Sequence, residues 1–291
     1  MKTIKSNEKT LSLQLEIETI TPVHVGTGDK LQYDLDYIYK NNLPYVVRKK
    51  EMYDMIANDN HIKEILEQKS FKLSEIEKII DLPGYSMDIN NNSDHNAQDI
   101  IEHIKDAYLN PYFPGSSLKG AIRTFLAADL LTSNETIINK KWTNQNIMGE
   151  LFGQTANSDI MRSIHVGDVW LNNCNTKLVQ CDVFHLGKKK LLKPLFVETV
   201  PEEVNGNFTL KLDQFLMKNS KVWCNSNIAS LSDYTLLFKK INDQATRFIK
   251  SEMNIFNDQN LLNEKSWYQE LLKRIEEEAK GDHPGAYIQM A

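Results

Sequence analysis

Residues 11–20 alternate between apolar and polar side chains, and no other segment constrains the fold as strongly. Successive side chains of a β-strand point to opposite faces, so this pattern predicts a strand with one buried face. Such a strand is stable only when other strands pair with it and a further layer covers its apolar face. The alternating apolar positions are Leu11, Leu13, Leu15 and Ile17, with Ser12, Gln14, Glu16 and Glu18 between them.

Segments with helical periodicity can supply the covering layer. In residues 118–131 apolar side chains recur at three- and four-residue spacing, and Ser116 or Ser117 is a suitable N-cap. Residues 34–39 and 43–47 flank an asparagine turn and predict a hairpin. The order of strand, hairpin, helix and strands suits an α+β fold of ferredoxin-like character. Further strands are expected at 163–171, 177–186 and 208–212, helices at 48–58, 61–80, 234–250 and 263–280, a loop at 26–29 and a polar insertion at 83–98.

The overall composition is that of an ordinary globular protein. Apolar residues make up 41% of the chain and charged residues 25%, which favours a packed core over disorder. No stretch approaches the roughly 20 apolar residues of a membrane span, and the start of the chain lacks the apolar core of a signal peptide. We therefore expect a cytoplasmic protein without a membrane partner. Cys174, Cys181 and Cys224 match no common zinc spacing, so we expect reduced thiols, no metal and no cofactor.

The segment 112–123 is the most informative for function, because a short glycine and serine turn runs directly into a helix. Free backbone N–H groups and the helix dipole at such an N-terminus favour an anion such as phosphate. Two cations on one helix face could offset the unfavourable net charge of −5, because phosphate contacts are local. A plain capped helix after a tight turn explains the segment equally well. The candidate contacts to an RNA backbone are Gly115, Ser116, Ser117, Lys119, Gly120 and Arg123.

Two motifs give the chain a family resemblance. Residues 113–123, Phe-Pro-Gly-Ser-Ser-Leu-Lys-Gly-Ala-Ile-Arg, resemble a signature of the CRISPR RAMP superfamily, and so do residues 21–28, Thr-Pro-Val-His-Val-Gly-Thr-Gly. Residues 162–168 resemble the strand that follows the helix in that superfamily. Residues 193–200 are similar to a segment of the capping subunit of type III-A (Csm) effector complexes. The resemblance spans residues 11–213.

The resemblance implies RRM-like, ferredoxin-like domains. We expect an N-terminal domain at residues 1–172, with a helical insertion at 48–110, and a C-terminal RAMP-like and helical region at 173–291. Residues 285–291 predict the start of a strand, where family members continue into a glycine-rich loop. The second domain is therefore expected to be incomplete or divergent.

The resemblance also implies a place in a complex. The capping subunit lies at the 3′ end of the CRISPR RNA (crRNA), beside the last backbone RAMP subunit, and recruited host nucleases mature that end. We therefore expect a non-catalytic subunit with crRNA, other Csm subunits and such nucleases as partners. The loop after the first strand adds four candidate RNA contacts: His24, Gly26, Thr27 and Gly28.

Two other functions remain open. Some RAMP relatives cut precursor RNA with a histidine, so His24 could be the acid or base of an endoribonuclease. Such a site needs a second catalytic group, and the sequence places none at a predictable distance from His24. A backbone subunit that polymerises along the guide RNA is the other alternative.

Ordinary structural roles compete with functional ones at several further positions. Asp34 and Asp36 could form a metal pair on one strand face, but two solvated strand carboxylates explain them better. His165 and Asp168 flank a glycine and fit hydrogen bonding within a turn.

The remaining candidates are a lysine-rich loop and the tryptophans. The tryptophans Trp142, Trp170 and Trp223 fit core or interface positions better than base-stacking platforms. The loop could touch RNA or a neighbouring subunit through Lys188, Lys189, Lys190 and Lys193.

Overall fold

The computed structural model of the protein describes residues 2–3, 10–67, 72–89, 99–132, 144–171, 174–188, 190–219, 233–259, 262–278 and 285–290. Its strands, in chain order, are β1 (Lys2–Thr3), β2 (Thr10–Glu18), β3 (Gly26–Leu31), β4 (Tyr37–Lys40), β5 (Leu43–Val47), β6 (Gly84–Ser86), β7 (Asp88–Ile89), β8 (Ile100–His103), β9 (Tyr112–Phe113), β10 (Ile164–Val166), β11 (Val169–Leu171), β12 (Lys177–Cys181), β13 (Phe184–His185), β14 (Lys190–Leu191), β15 (Leu195–Thr199) and β16 (Asn205–Asp213). Its helices are α1 (Lys49–Ala57), α2 (Asn60–Glu67), α3 (Leu73–Ile76), α4 (Gly115–Thr132), α5 (Asn144–Phe152), α6 (Gln214–Asn219), α7 (Tyr234–Gln259) and α8 (Leu262–Glu278), with 3₁₀ turns at Ile160–Ser163 and Leu186–Lys188.

The chain forms two compact units, and each unit is assembled from separate stretches of sequence. The first contains Met1–Ile17, Phe113–Val169 and Asn207–Ala291, and the second contains Glu18–Tyr112 and Trp170–Gly206. The units therefore do not follow the single cut near residue 172 that the sequence suggests. They interleave because strands from distant parts of the sequence share one sheet.

The sheet of the first unit has the strand order β1-β2-β16-β11-β9, and β10 also pairs with β16. The strand predicted at residues 11–20 is confirmed as β2, whose Leu13 is fully buried. The strand predicted at residues 163–171 is divided into β10 and β11, because Gly167 and Asp168 lie between them outside the strands.

Helix α4 packs against β10 and α7, and α7 packs against α8. The helix begins three residues before its predicted start, so Ser116 and Ser117 lie in its first turn and are not N-caps. The predicted apolar stripe is confirmed at Leu118, Ile122 and Leu126, which are buried. Among the described residues, none of the helices combines the length and apolar character that crossing a membrane requires.

The second unit contains a five-stranded sheet of order β3-β8-β15-β12-β7, a three-stranded sheet β4-β5-β6 and the hairpin β13-β14. The predicted asparagine turn between β4 and β5 is confirmed. Asn41 and Asn42 have φ angles of 51° and 64°, the left-handed conformation that a tight two-residue hairpin turn requires.

Several segments of the second unit differ from their predicted state. Residues 26–29 predict a loop, but they belong to β3, which pairs with β8 around an irregularity between Gly26 and Lys30. The first part of the polar insertion predicted at 83–98 forms β6 and β7, while residues 90–98 lie outside the described residues. The helix predicted at 61–80 is divided into α2 and α3.

Candidate functional site

Most backbone N–H groups at the start of α4 already have acceptors within the protein. The N–H of Gly115 donates to Oδ1 of Asp168 at 2.7 Å. The N–H groups of Ser117 and Leu118 both donate to the carbonyl oxygen of Pro114, at 3.0 and 3.2 Å. A phosphate seat made of free amides is therefore wrong for these three groups. The RNA-binding role of the segment itself stays a prediction.

Gly115 serves the packing of α4 against its own unit. A Cβ atom added there would lie 2.2 Å from the carbonyl oxygen of Val166 and 2.8 Å from the carbonyl carbon of Gly167. No larger residue fits without moving this backbone. Asp168, expected to bond within its own turn, instead fixes the start of α4 across 53 positions of sequence.

The charge of Asp159 acts on both predicted cations of α4, but only Arg123 forms an ion pair with it. Nη1 of Arg123 lies 2.9 Å from Oδ2 of Asp159, and the guanidinium lies 4.7 Å from the ring centre of Phe152. Burial lowers the pKa of Lys119, with Asp159 opposing and Arg123 adding to this effect. Both cations are partly exposed, so they can still meet an anion, but the charge of Arg123 is already partly balanced.

Gly28 and Gly120 both leave open space beside their backbone. Apart from the two chain neighbours and, for Gly120, the nearby backbone of its own helix, nothing lies within 4 Å of a Cβ added at either position, and both residues are exposed. Gly28 has a φ of +94°, which favours glycine. Its neighbour Thr27 orders the turn, since Oγ1 accepts the N–H of Asp29 at 3.0 Å. Gly28 lies in the second unit and Gly120 in the first, and each could admit a closely approaching ligand backbone.

His24 is held by β15 in a defined orientation. Its Nδ1 lies 2.7 Å from the carbonyl oxygen of Glu198, which can only accept, so Nδ1 carries the proton. In the neutral ring Nε2 then carries the lone pair. A Cβ added at Gly26 would lie 2.9 Å from this Nε2, so the glycine keeps that nitrogen uncovered on its side.

Behind this histidine is a buried carboxylate that the sequence did not single out. Glu198 is 0% exposed and accepts from Nζ of Lys105 at 2.6 Å, Oγ1 of Thr176 at 2.7 Å and the hydroxyl of Tyr85 at 3.1 Å. It also accepts the backbone N–H of His103 at 3.1 Å. These donors offset the cost of burying the charge. The one sign in the sequence is a single carboxylate within a mainly apolar strand.

A second histidine lies beside the first. The ring centres of His24 and His103 are 5.9 Å apart, and Nδ1 of His103 accepts the N–H of Val25 at 3.1 Å. Burial, together with the nearby charges of Lys105 and His24, lowers the pKa of His103 to about 3. At neutral pH this ring is uncharged and cannot serve as an imidazolium acid. The arrangement therefore does not favour an acid–base pair.

Asp34 and Asp36 do not lie on a strand, so the expected strand carboxylates are wrong. They precede β4 in a turn, where Oδ1 of Asp34 accepts the N–H of Ser74 and Oδ2 of Asp36 accepts the N–H of Gln32, both at 2.7 Å. Asp36 also pairs with Lys49. No cluster of three metal-binding side chains occurs in the part of the chain that the structure describes.

The lysine-rich loop is open to solvent where it is described. Lys188, Lys190 and Lys193 are exposed, as are Leu191 and Leu192, and Lys189 lies outside the described residues. Contact of this loop with RNA or a subunit stays a prediction.

The tryptophans lie in different parts of the chain, and Trp142 and Trp223 are outside the described residues. Of the core or interface position expected for Trp170, the core position is wrong, because its side chain is 54% exposed, and the interface position stays a prediction. His165 is likewise exposed, on β10 opposite Lys211.

Comparison with known sequences identifies relatives of the chain. The RAMP superfamily profile matches residues 16–286. The CRISPR system Cms protein Csm5 of Streptococcus thermophilus is 30% identical over 171 residues, which are 49% of this chain and 43% of that protein. The match thus spans less than half the length of this curated relative.

Two solved structures share the fold. The crystal structure of T. onnurineus Csm5 has a TM-score of 0.66 at 17% identity, covering 95% of this chain and 89% of that chain. A chain of the Csm–crRNA–target RNA ternary complex of a type III-A CRISPR–Cas system has a TM-score of 0.67 at 20% identity, covering 93% and 82%. Since the family profile extends over nearly the whole sequence and the fold agrees, the chain belongs to the RAMP superfamily.

Proposed function

We propose that this protein is a crRNA-binding, non-catalytic subunit of a type III-A CRISPR effector complex. It caps the filament of RAMP subunits at the crRNA 3′ end and supports crRNA maturation and antiviral defence in the cytoplasm. The observation that carries the proposal is the 30% identity to Csm5 over 171 residues. Its proposed partners are crRNA, the adjacent backbone RAMP subunit, other Csm subunits and recruited host nucleases.

The proposed RNA surface uses side chains and open glycines rather than free amides. On α4 Ser116 and Gly120 are exposed and the cations Lys119 and Arg123 are partly exposed, whereas Gly115 and Ser117 contribute through the shape of the first turn. In the second unit, we propose that the RNA contacts residues around the uncovered Nε2 of His24. The residues there are His24, Gly26, Thr27 and Gly28.

We also infer that the first unit is a ferredoxin-like domain. When the intervening residues 18–112 of the second unit are set aside, β2 is followed along the chain by α4, then by β10 and β11, then by β16 and, after the short α6, by α7. In the sheet, β16 lies between β2 and β11. In a ferredoxin-like fold the third strand lies in the sheet between the first and the second, and a helix follows the first and the third strands. Here β2, β10 with β11, and β16 correspond to these three strands, and α4 and α7 to the two helices. A complete second domain of this kind is not part of the proposal.

Purification of the complex through an affinity tag on this chain tests the assignment. We expect one copy of the chain per complex by native mass spectrometry, together with bound crRNA. Several copies would favour the polymerising backbone subunit instead. Specific cleavage of repeat RNA by the purified chain, lost in His24→Ala, would overturn the non-catalytic assignment.

A further inference from the structure

Tyr112 and Trp170 form an exposed aromatic stack on adjacent strands. Their ring centres are 5.4 Å apart and their planes are inclined by 24°, which is close to parallel. Trp170 is 54% exposed, and Tyr112 is partly exposed. The two residues lie on β11 and β9, which are neighbours at one end of their sheet. The stack therefore presents a flat indole surface to solvent.

The strand alternation explains why these rings face outward together. Val169 and Phe113, the chain neighbours of the two rings, are almost fully buried. Since successive side chains of a strand alternate between faces, the two rings project away from the buried side. Single exposed apolar residues are ordinary on a protein surface. The stacked pair differs from a single exposed residue, because the Tyr112 ring fixes the orientation of the Trp170 indole.

A flat, oriented indole on a sheet fits one kind of ligand especially well. RNA-binding sheets of the RRM type display aromatic rings on which unpaired bases stack. Every nucleobase has a π face, so such stacking tolerates any sequence and needs no charge beside it. A crRNA subunit must accept different guide sequences, and this surface meets that requirement. A protein partner is less favoured, since the stack offers a flat ring face rather than a pocket for an anchoring side chain.

We propose that Trp170, oriented by Tyr112, is a stacking platform for an unpaired base of the bound RNA. The proposal rests on the proposed crRNA-binding function and adds a base contact to the backbone contacts named there. Tyr112 directly precedes the 113–123 motif in the sequence, and Trp170 follows the 162–168 segment. The platform thus lies directly beside the two stretches of chain that carry the family resemblance.

The test compares two probes with equal backbone charge. One is a fluorescently labelled 12-nucleotide oligouridylate, and the other is a 12-unit abasic ribose-phosphate chain. We expect wild-type protein to bind the oligouridylate roughly tenfold more tightly, the size of one stacking contact. Trp170→Ala is expected to lose most of that difference, whereas Trp170→Phe retains most of it. The salt dependence of binding should be the same for wild type, Trp170→Ala and Trp170→Phe, because stacking neutralises no phosphate.

The matched control is Trp267→Ala. Trp267 is the other tryptophan within the described residues, is 40% exposed, and contacts Tyr268 edge-on at 81° rather than in a stack. This variant should prefer the oligouridylate as wild type does. Circular dichroism and urea midpoints establish that each variant is folded.

The outcomes separate the platform from the proposed function. If Trp170→Ala discriminates between the probes like wild type, or if wild type binds both equally, the platform is overturned and RNA binding stands. If wild type binds neither probe, the RNA-binding function fails and the platform with it. If Trp170→Ala keeps its RNA affinity but no longer joins the Csm complex, the surface is a protein contact and the platform is overturned.

Discussion

Glu198 accepts hydrogen bonds from three separate stretches of the second unit, and its charge is paired at short range with Lys105. The side chain of Lys105 is only 3% exposed. Removing the carboxylate charge would leave a buried ammonium whose other acidic neighbour, Glu102, is farther away at 3.4 Å. Loss of one partner from a buried ion pair is strongly destabilising for this reason.

Glu198→Gln, which keeps the size of the side chain, is therefore expected to lower the free energy of unfolding by about 3–5 kcal/mol. Urea denaturation measures this change. Glu270→Gln is the matched control, because it removes the exposed pair with Arg274 and should cost less than about 1 kcal/mol. A Glu198→Gln protein as stable as wild type would show that the carboxylate does not support the fold.

His103 should make the protein sensitive to mild acid. Its folded pKa of about 3 lies below the unfolded value near 6.5, so the unfolded state takes up the proton first as the pH falls. The stability that the fold gains from keeping His103 neutral is complete above about pH 6.5 and is lost progressively towards pH 3, with about 2 kcal/mol lost at pH 5. His103→Gln keeps an acceptor for the N–H of Val25 but does not titrate. Between pH 7 and 5 it should lose about 2 kcal/mol less than wild type in urea titrations, and equal losses would contradict the burial argument.

Single residues of the candidate site were predictable only where a local motif marks them. His24 and the motif glycines stand in short recognisable segments. Their partners do not, because Asp159, Asp168 and Glu198 lie 36, 53 and 174 positions away from the residues they bind. No local spacing rule connects such pairs, so the bond of the Gly115 amide to Asp168 could not be foreseen.

At the scale of elements, α4 contains two glycines whose replacement by alanine should change the stability of the fold in opposite directions. Gly115→Ala forces a Cβ against the backbone of β10 and should destabilise the fold by several kcal/mol, of order 2–4. Gly120→Ala meets open space within a helix and should stabilise it by about 0.5–1 kcal/mol. Urea midpoints test both changes. If Gly120→Ala stabilises the fold yet weakens RNA binding, the open glycine is a point of ligand approach, whereas unchanged binding would remove that role.

The exposed face of α4 carries a second prediction at this scale. Lys119→Gln should weaken crRNA binding equally for all guide sequences and reduce the salt slope by about one unit. Asp159→Asn is the matched variant, because it weakens the ion pair with Arg123 while Oδ1 can still accept the N–H of Met161. It should bind crRNA as tightly as wild type or more tightly. Fluorescence anisotropy at several salt concentrations measures the crRNA affinity of each variant. An unchanged dependence of that affinity on salt in Lys119→Gln would contradict phosphate contact by Lys119.

Elements with a complete local pattern were predictable, and those completed by distant partners were not. The alternation of β2, the asparagine turn and the apolar stripe of α4 each define their structure within a few residues. The short strands β8 and β15 instead bury polar side chains, His103 and Glu198, whose pairing depends on the other strand. The residues of β3 carry two glycines, which normally signal a loop and pair here only because β8 is beside them.

At the scale of the whole molecule, the interleaved units predict that fragments cut between them will not fold. A chain of residues 1–172 would lack β16, which lies between β2 and β11 in the sheet of the first unit. We expect this fragment and residues 173–291 each to show little dispersed NMR signal, while the full chain is folded. A well-dispersed spectrum from residues 1–172 alone would restore the two consecutive domains that the sequence suggests.

The hydrogen bond between Gln14 and Thr209 joins side chains 195 positions apart, on strands that are neighbours in one sheet. A growing chain leaves the ribosome from its N-terminus, so β2 emerges long before β16 is synthesised. Until then the apolar face of β2 has no final strand partner on that side, a state in which nascent chains are prone to misassociation. Chaperone demand during translation, rather than the stability of the finished protein, is therefore expected to limit the yield of this protein.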